Sequence, residues 1–181
     1  FQCAVTVIWA GTGGLTVTDT TVRGVARGSS SLVLVTSVSL FGVLVTAVWE
    51  EFVFRSLLIR NAAEGLAARG VSPTGALGGA IVLSALAFGL PHAVGAAAEY
   101  TNPAFGALQA VVSVSYFVAA YAATGSLALP IGIHFASNAW VILVVGRVSS
   151  PYPKLFAVER TVAGTIDTLL ILLPGVLLIA L

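Results

Sequence analysis

The chain has 181 residues, 58% of them hydrophobic and only 8% charged, with a mean hydropathy of +1.05. An ordinary soluble domain carries about 25% charged residues, so a soluble fold of this length could not cover so much apolar surface, and a net charge of +1 gives no footing for nucleic acid. The apolar stretches are continuous rather than alternating, which selects membrane-spanning helices over a barrel.

The expected architecture is all-α: a polytopic transmembrane helical bundle, integral to the membrane and multi-pass, with lipids around it. The chain contains no methionine and opens on Phe1, the pattern of a piece of a longer protein that lacks at least one N-terminal helix. Residues 1–31 then form a truncated helix tail and a polar loop. Phe1 to Ala10 is apolar but short of the roughly 20 residues a span needs. Gly11 to Ser31, with Asp19, Arg23 and Arg27, has the composition of a solvent-facing connection. Cys3 is the single cysteine and has no internal disulfide partner.

Residues 32–181 are expected to hold a core of about five transmembrane helices. The first apolar stretch, Leu32 to about Asn61, is longer than one span, so its helix either tilts and protrudes or breaks near an acidic pair at Glu50-Glu51. Glu64 to Pro73 reads as a loop. Thr74 to His92 is a second span, rich early in the Gly and Ala of close membrane packing, with Pro91 expected to bend or loosen its end. Gly95 to Pro103 is the next loop, and Phe105 to Ala123 is a span expected to do little beyond packing. Thr124-Gly125-Ser126 forms a turn in which Ser126 is placed to cap the helix Leu127 to Val145. Arg147 to Arg160 is the longest loop. Thr161 to Leu181, with Asp167 and Pro174, is the last span.

Ionisable groups inside such spans cost at least a few kcal/mol and persist only where they are compensated or used. Glu51 and Arg55 are four residues apart on one helix face, acid first, and are expected to pair. Glu50, ~100° around the helix, must present its carboxylate elsewhere. The chain's two histidines each have a helix-spaced companion in another apolar span: Phe88 with His92, and His134 with Asn138. Any one of these features is as compatible with structural hydrogen bonding between helices as with chemistry.

Taken together and in order, Glu50-Glu51-x-x-x-Arg55, Phe88-x-x-x-His92 and His134-x-x-x-Asn138 resemble the motifs of the CPBP family. That family comprises the CAAX prenyl proteases of the second type and the bacteriocin-processing enzymes, also called Abi proteins. The resemblance covers about Val48 to Asn138, including the turn from Thr124 through Pro130 to His134. It implies an intramembrane peptidase in which Glu50 activates water with help from His92. His134 and Asn138 would form the oxyanion hole, and Glu51, Arg55 and Phe88 would support the site. The substrate it implies is a peptide or a lipidated protein, cut near its C-terminus.

The residues alone agree with that chemistry, since peptide hydrolysis needs a base for water, a donor for the oxyanion and a proton for the leaving amine. No cofactor is required. Zinc is the competing mechanism, with Glu50, His92 and His134 as ligands from three separate helices. Two other classes stay open: a non-catalytic membrane scaffold or immunity protein, and a transporter that uses the buried Glu and His residues to relay protons or bind a metal. For Glu50 and His92 to meet at mid-depth, the membrane part of the first helix must shift toward Phe41 to Asn61, and the next span must enter nearer Ile81. Arg23, Arg27, Arg147, Lys154 and Arg160 outnumber Arg60 and Arg69 on the opposite side, which favours the first group for the cytoplasm.

Overall fold

The computed structural model describes residues 11, 15–19, 32–97, 103–147 and 154–160. In chain order these form β1 (Leu15–Asp19), α1 (Leu32–Glu51), a π-helical segment π1 (Phe52–Leu58), α2 (Ile59–Ala67), α3 (Pro73–Ala97), α4 (Pro103–Thr124), α5 (Ala128–Ala139), a second π-helical segment π2 (Trp140–Val144), β2 (Val145–Arg147) and β3 (Phe156–Arg160). They fall into two compact units whose boundaries lie within α1 and within α5. One unit runs from Ala47 to Ile133, and the other holds the described residues up to Thr46 and from His134 onward. The expected span Thr161 to Leu181, with Asp167 and Pro174, lies outside the described residues, as do Phe1 to Ala10, Arg23 and Arg27.

Two helical stretches among the described residues are long and apolar enough to cross a membrane, Val33–Ala67 and Pro73–His92. The first has 35 residues. At 1.5 Å per residue that is ~52 Å, well beyond the ~30 Å of a hydrocarbon core. The helix does not break at the acidic pair; it widens into π1 directly after Glu51. Large apolar side chains face outward along these helices, among them Val38, Phe41, Trp49 and Phe52, and on α3 Val82, Leu86 and Leu90. In water such a surface would be a liability, whereas against acyl chains it is the expected exterior.

The buried positions of the first helix follow a step of four: Ala47 0%, Glu51 0%, Arg55 0% and Ile59 6% exposed. An α-helix turns ~100° per residue, so three such steps would carry the row ~120° around the axis. A π turn closes its hydrogen bonds five residues on and rotates less per residue. The wide turn at π1 therefore takes back part of that drift and keeps the row on one side. On α3 the buried row Ala76, Ala80, Ser84 and Phe88 follows the same step, with small residues that let neighbouring backbones approach. Among the described glycines Gly79 has the nearest neighbour, since an added Cβ would sit 3.0 Å from Cδ1 at the end of the Leu66 side chain of α2.

The loop expected over Glu64 to Pro73 is shorter, because α2 runs to Ala67 and α3 begins at Pro73. It closes on Gly70, whose φ of 85° is open to glycine without strain. The Val71 N–H returns to the Leu66 carbonyl at 3.2 Å and the Gly70 N–H to the Ala67 carbonyl at 2.9 Å, which satisfies two helix-end acceptors. Pro91 lies inside α3, which continues to Ala97, so the loosening expected there does not end the helix. The cap expected at Ser126 is present: its Oγ accepts the Ala128 N–H at 3.2 Å.

The other unit departs from the all-α expectation. A three-stranded sheet of order β1-β3-β2 pairs β1 antiparallel and β2 parallel to β3, with Val17 opposite Val158 and a register irregularity between Val17 and Asp19. The Thr18 hydroxyl donates to the Ala157 carbonyl at 3.0 Å. β1 and β3 occupy stretches whose Gly, Ser and Pro suggested loops, and β2 takes the end of the helix expected to run to Val145. Leu15-Thr16-Val17-Thr18-Asp19 is rich in β-branched residues, which favour a strand.

Replacing Gly79 with leucine should force α2 and α3 apart and cost about 1–3 kcal/mol, the usual range for overpacking. Unfolding in detergent micelles measures it, and unchanged stability would show that the two helices do not approach closely at Gly79.

Candidate active site

Glu51 and Arg55 have no exposed side-chain surface and meet at 3.1 Å between Arg55 Nε and Glu51 Oε2. The two atoms are close but not aligned for a hydrogen bond. Arg55 Nη1 and Nη2 have no hydrogen-bond acceptor among the described residues. Aromatic faces take that role. The guanidinium carbon lies 4.7 Å from the centroid of the Phe88 ring and 4.9 Å from that of Phe117. Cation–π contacts of a desolvated cation are worth about 2 kcal/mol or more, so the two rings offset a substantial part of the cost of burying the charge. The predicted pair is thus present, with two aromatic partners that spacing alone could not name.

Phe88 is the hub. Its ring meets Phe54 edge-on at 5.3 Å, stands 6.5 Å from Phe117, and stacks on the His92 ring at 4.2 Å with an interplanar angle of 22°. His92 Nδ1 is 2.7 Å from the Phe88 carbonyl. A carbonyl can only accept, so Nδ1 carries a hydrogen here, and in the neutral imidazole that leaves Nε2 as the acceptor. The His92 side chain is exposed on its helix, while Phe88 beneath it is buried. The continuous run Glu51, Arg55, Phe88, His92 joins the first two predicted motifs within one unit.

Glu50 belongs to the same unit and differs sharply from its neighbour. Glu51 is fully enclosed, whereas Glu50 is partly accessible. The helix thereby separates two adjacent carboxylates into one that is enclosed with a cation and one that is partly accessible.

His134 and Asn138 lie on α5, one turn apart, in the other unit. His134 is buried at 4% exposure and Asn138 is half-buried. Their helix becomes π-helical two residues after Asn138. Among the described residues, no three His, Cys, Asp or Glu side chains gather as metal ligands would.

Sequence reasoning missed three residues. Phe117 lies on α4, the helix expected to do little but pack, yet it supplies one ring over Arg55. Phe54 meets Phe88 from π1. Ser84 is fully buried on α3 and donates its hydroxyl to the Phe54 carbonyl at 2.8 Å. A phenylalanine or serine in an apolar span gives no signal of its own; only its spacing from Phe88 at i−4 marked Ser84 as sharing that face.

A family model described as Type II CAAX prenyl endopeptidase Rce1-like matches residues 32–140, more than half of the chain. The match takes in all three motifs. No curated protein and no solved structure matches.

The Glu51–Arg55 pair should behave as a structural unit. Glu51→Gln leaves a buried guanidinium without its counter-charge and should destabilise the protein by about 3–5 kcal/mol, whereas Glu51→Leu combined with Arg55→Met removes both charges and should recover most of that loss. Reversible unfolding in micelles tests both. A double variant as unstable as Glu51→Gln would contradict the pairing.

Proposed function

The chain belongs to the Type II CAAX prenyl endopeptidase Rce1-like family, and on that premise we propose that it is a multi-pass intramembrane endopeptidase with Glu50 as its base. The observation that carries this reading is the contrast between adjacent carboxylates. Glu51 is enclosed with Arg55, so the acid left for proton transfer is Glu50, whose side chain is partly accessible. A water held between Glu50 and His92 Nε2 has two acceptors for its hydrogens and an oxygen lone pair for the scissile carbonyl. The imidazole orientation that exposes Nε2 is fixed by the Nδ1 contact to Phe88.

In this reading Glu50 takes the water proton as the tetrahedral adduct forms, and the protonated acid then delivers it to the departing amine. His134 and Asn138 donate to the oxygen that becomes negative in the transition state, where fixed donors act most strongly. Glu51, Arg55 and Phe88 hold the first two motifs in register. The substrate is a membrane-associated peptide cut near its C-terminus. A farnesylated cysteine four residues from the end, the C-a-a-X arrangement, is the natural first probe. No cofactor is assigned, and a zinc ion on Glu50, His92 and His134 is the alternative source of activated water.

With a fluorogenic peptide of that kind in nanodiscs, Glu50→Gln should abolish turnover while leaving the protein folded. Asn138→Ala should lower kcat by on the order of 100-fold with little change in KM, as lost oxyanion donors do. An Asn138→Ala protein that is destabilised yet keeps the parental kcat would sink the oxyanion assignment.

Chelation separates the two sources of activated water. If Glu50 is the base, the purified protein should carry no stoichiometric zinc and should keep its activity in a strong chelator. One tightly held zinc whose removal stops turnover, and whose return restores it, would turn Glu50, His92 and His134 into ligands.

A further inference from the structure

Ser84 makes a choice that its chemistry did not require. A hydroxyl within a helix can satisfy itself on the carbonyl four residues back. Ser39 does so on Val35 at 2.8 Å, and Thr124 on Ala120 at 2.7 Å. Ser84 instead directs its hydrogen across to Phe54, 30 residues away in sequence, at 2.8 Å. The acceptor lies inside π1, and the donor lies on the buried row of α3, one helical turn before Phe88 and two before His92.

We propose that Ser84 is a positioning residue for the reaction, which holds Phe52–Leu58 in its π-helical form and so sets the angle at which Glu50 faces the helix of His92. The inference rests on the reading of Glu50 as base and His92 as its partner. A π turn gives up the amide four residues on in favour of the fifth, a conformation that is rare and needs outside support. A second hydrogen bond to a carbonyl within the turn provides that support, in a dry setting where a hydroxyl without a partner is costly. The phase matters because Ile59, after the turn, and Ala47, Glu51 and Arg55, before and within it, are all buried. If the segment relaxed to an α-helix, the ~100° advance per residue would turn the Glu50 end about the axis relative to Ile59. Glu50 would leave its working angle, and Glu51 would turn with it, while Phe88 and His92 on α3 remained in place.

Ser84→Thr and Ser84→Val test this as a matched pair, since the two new side chains have the same shape and differ only in the hydroxyl. On the farnesylated probe peptide and its unlipidated counterpart, Ser84→Val should lower kcat by about 10-fold or more with KM within about 2-fold, the sign of a misplaced catalytic group. Ser84→Thr should retain a kcat several-fold above that of Ser84→Val. The bond itself can be read without turnover. Phe54-Arg55 is the only Phe-Arg pair in the sequence, so carbonyl-13C phenylalanine with 15N arginine gives one correlated NMR signal. That signal should move in Ser84→Val and stay near its parental position in Ser84→Thr. A parent that cleaves neither peptide brings down the protease reading and this inference with it. A parent that cleaves, alongside a Ser84→Val protein of equal kcat, overturns the inference alone, as do Thr and Val variants that are equally slow.

Discussion

A guanidinium with no exposed surface, in a helix that otherwise suits hydrocarbon, has to be neutralised and solvated by the protein itself. Glu51 supplies the counter-charge from one turn earlier. The ring faces of Phe88 and Phe117 stand where water would otherwise be. Because those rings come from α3 and α4, the burial of one charge ties three helical segments together. It also fixes the fate of the neighbouring acid. With Glu51 committed to Arg55, Glu50 can remain partly accessible on the same turn without leaving the cation uncompensated. The same enclosure would suit a protein that only needed its helices held together; what it does not explain is why a second carboxylate is kept beside the first.

Phe88 extends that constraint toward the histidine. Its ring is shared between Arg55 and His92, and its carbonyl receives His92 Nδ1. One residue therefore sets both the position and the tautomer of the imidazole. A smaller apolar residue there would keep the carbonyl but lose the stacking surface and one of the two cation–π partners. This explains why an aromatic side chain belongs in the second motif, although it has no atom that could take part in hydrolysis.

Those parts of the site were legible where one helix carried both partners. The step of four from Glu51 to Arg55 and from Phe88 to His92 is a local property, and the structure shows both contacts. Contacts between helices were not legible. Phe117 looked like one more apolar residue in a span, and Ser84 like one more small one, because nothing in a single sequence says which face of α4 or α3 meets π1. The π turn itself was invisible: Phe52 to Leu58 has no proline or glycine to announce it, and the only hint was a helix too long for one span. The short strands were missed for a different reason. Val17 and Val158 sit in segments of five residues, where the surrounding Gly, Ser and Pro spoke more loudly than the β-branched pattern.

The two π segments occupy comparable places in the chain. π1 starts one residue after Glu51, and π2 starts two residues after Asn138. π1 takes in Arg55, the second member of its pair, whereas π2 begins only after Asn138, and each motif spaces its polar side chains by four. A step of four overshoots a full α-helical turn by ~40°; α3 carries its buried row through that drift as plain α-helix, whereas the first helix takes part of it back in π1. A wide turn does so without a proline. For π1 the correction is visible in Ile59, which is buried in step with Ala47, Glu51 and Arg55. The local helix form, and not only the identity of the side chains, therefore sets where the residues of the first motif lie.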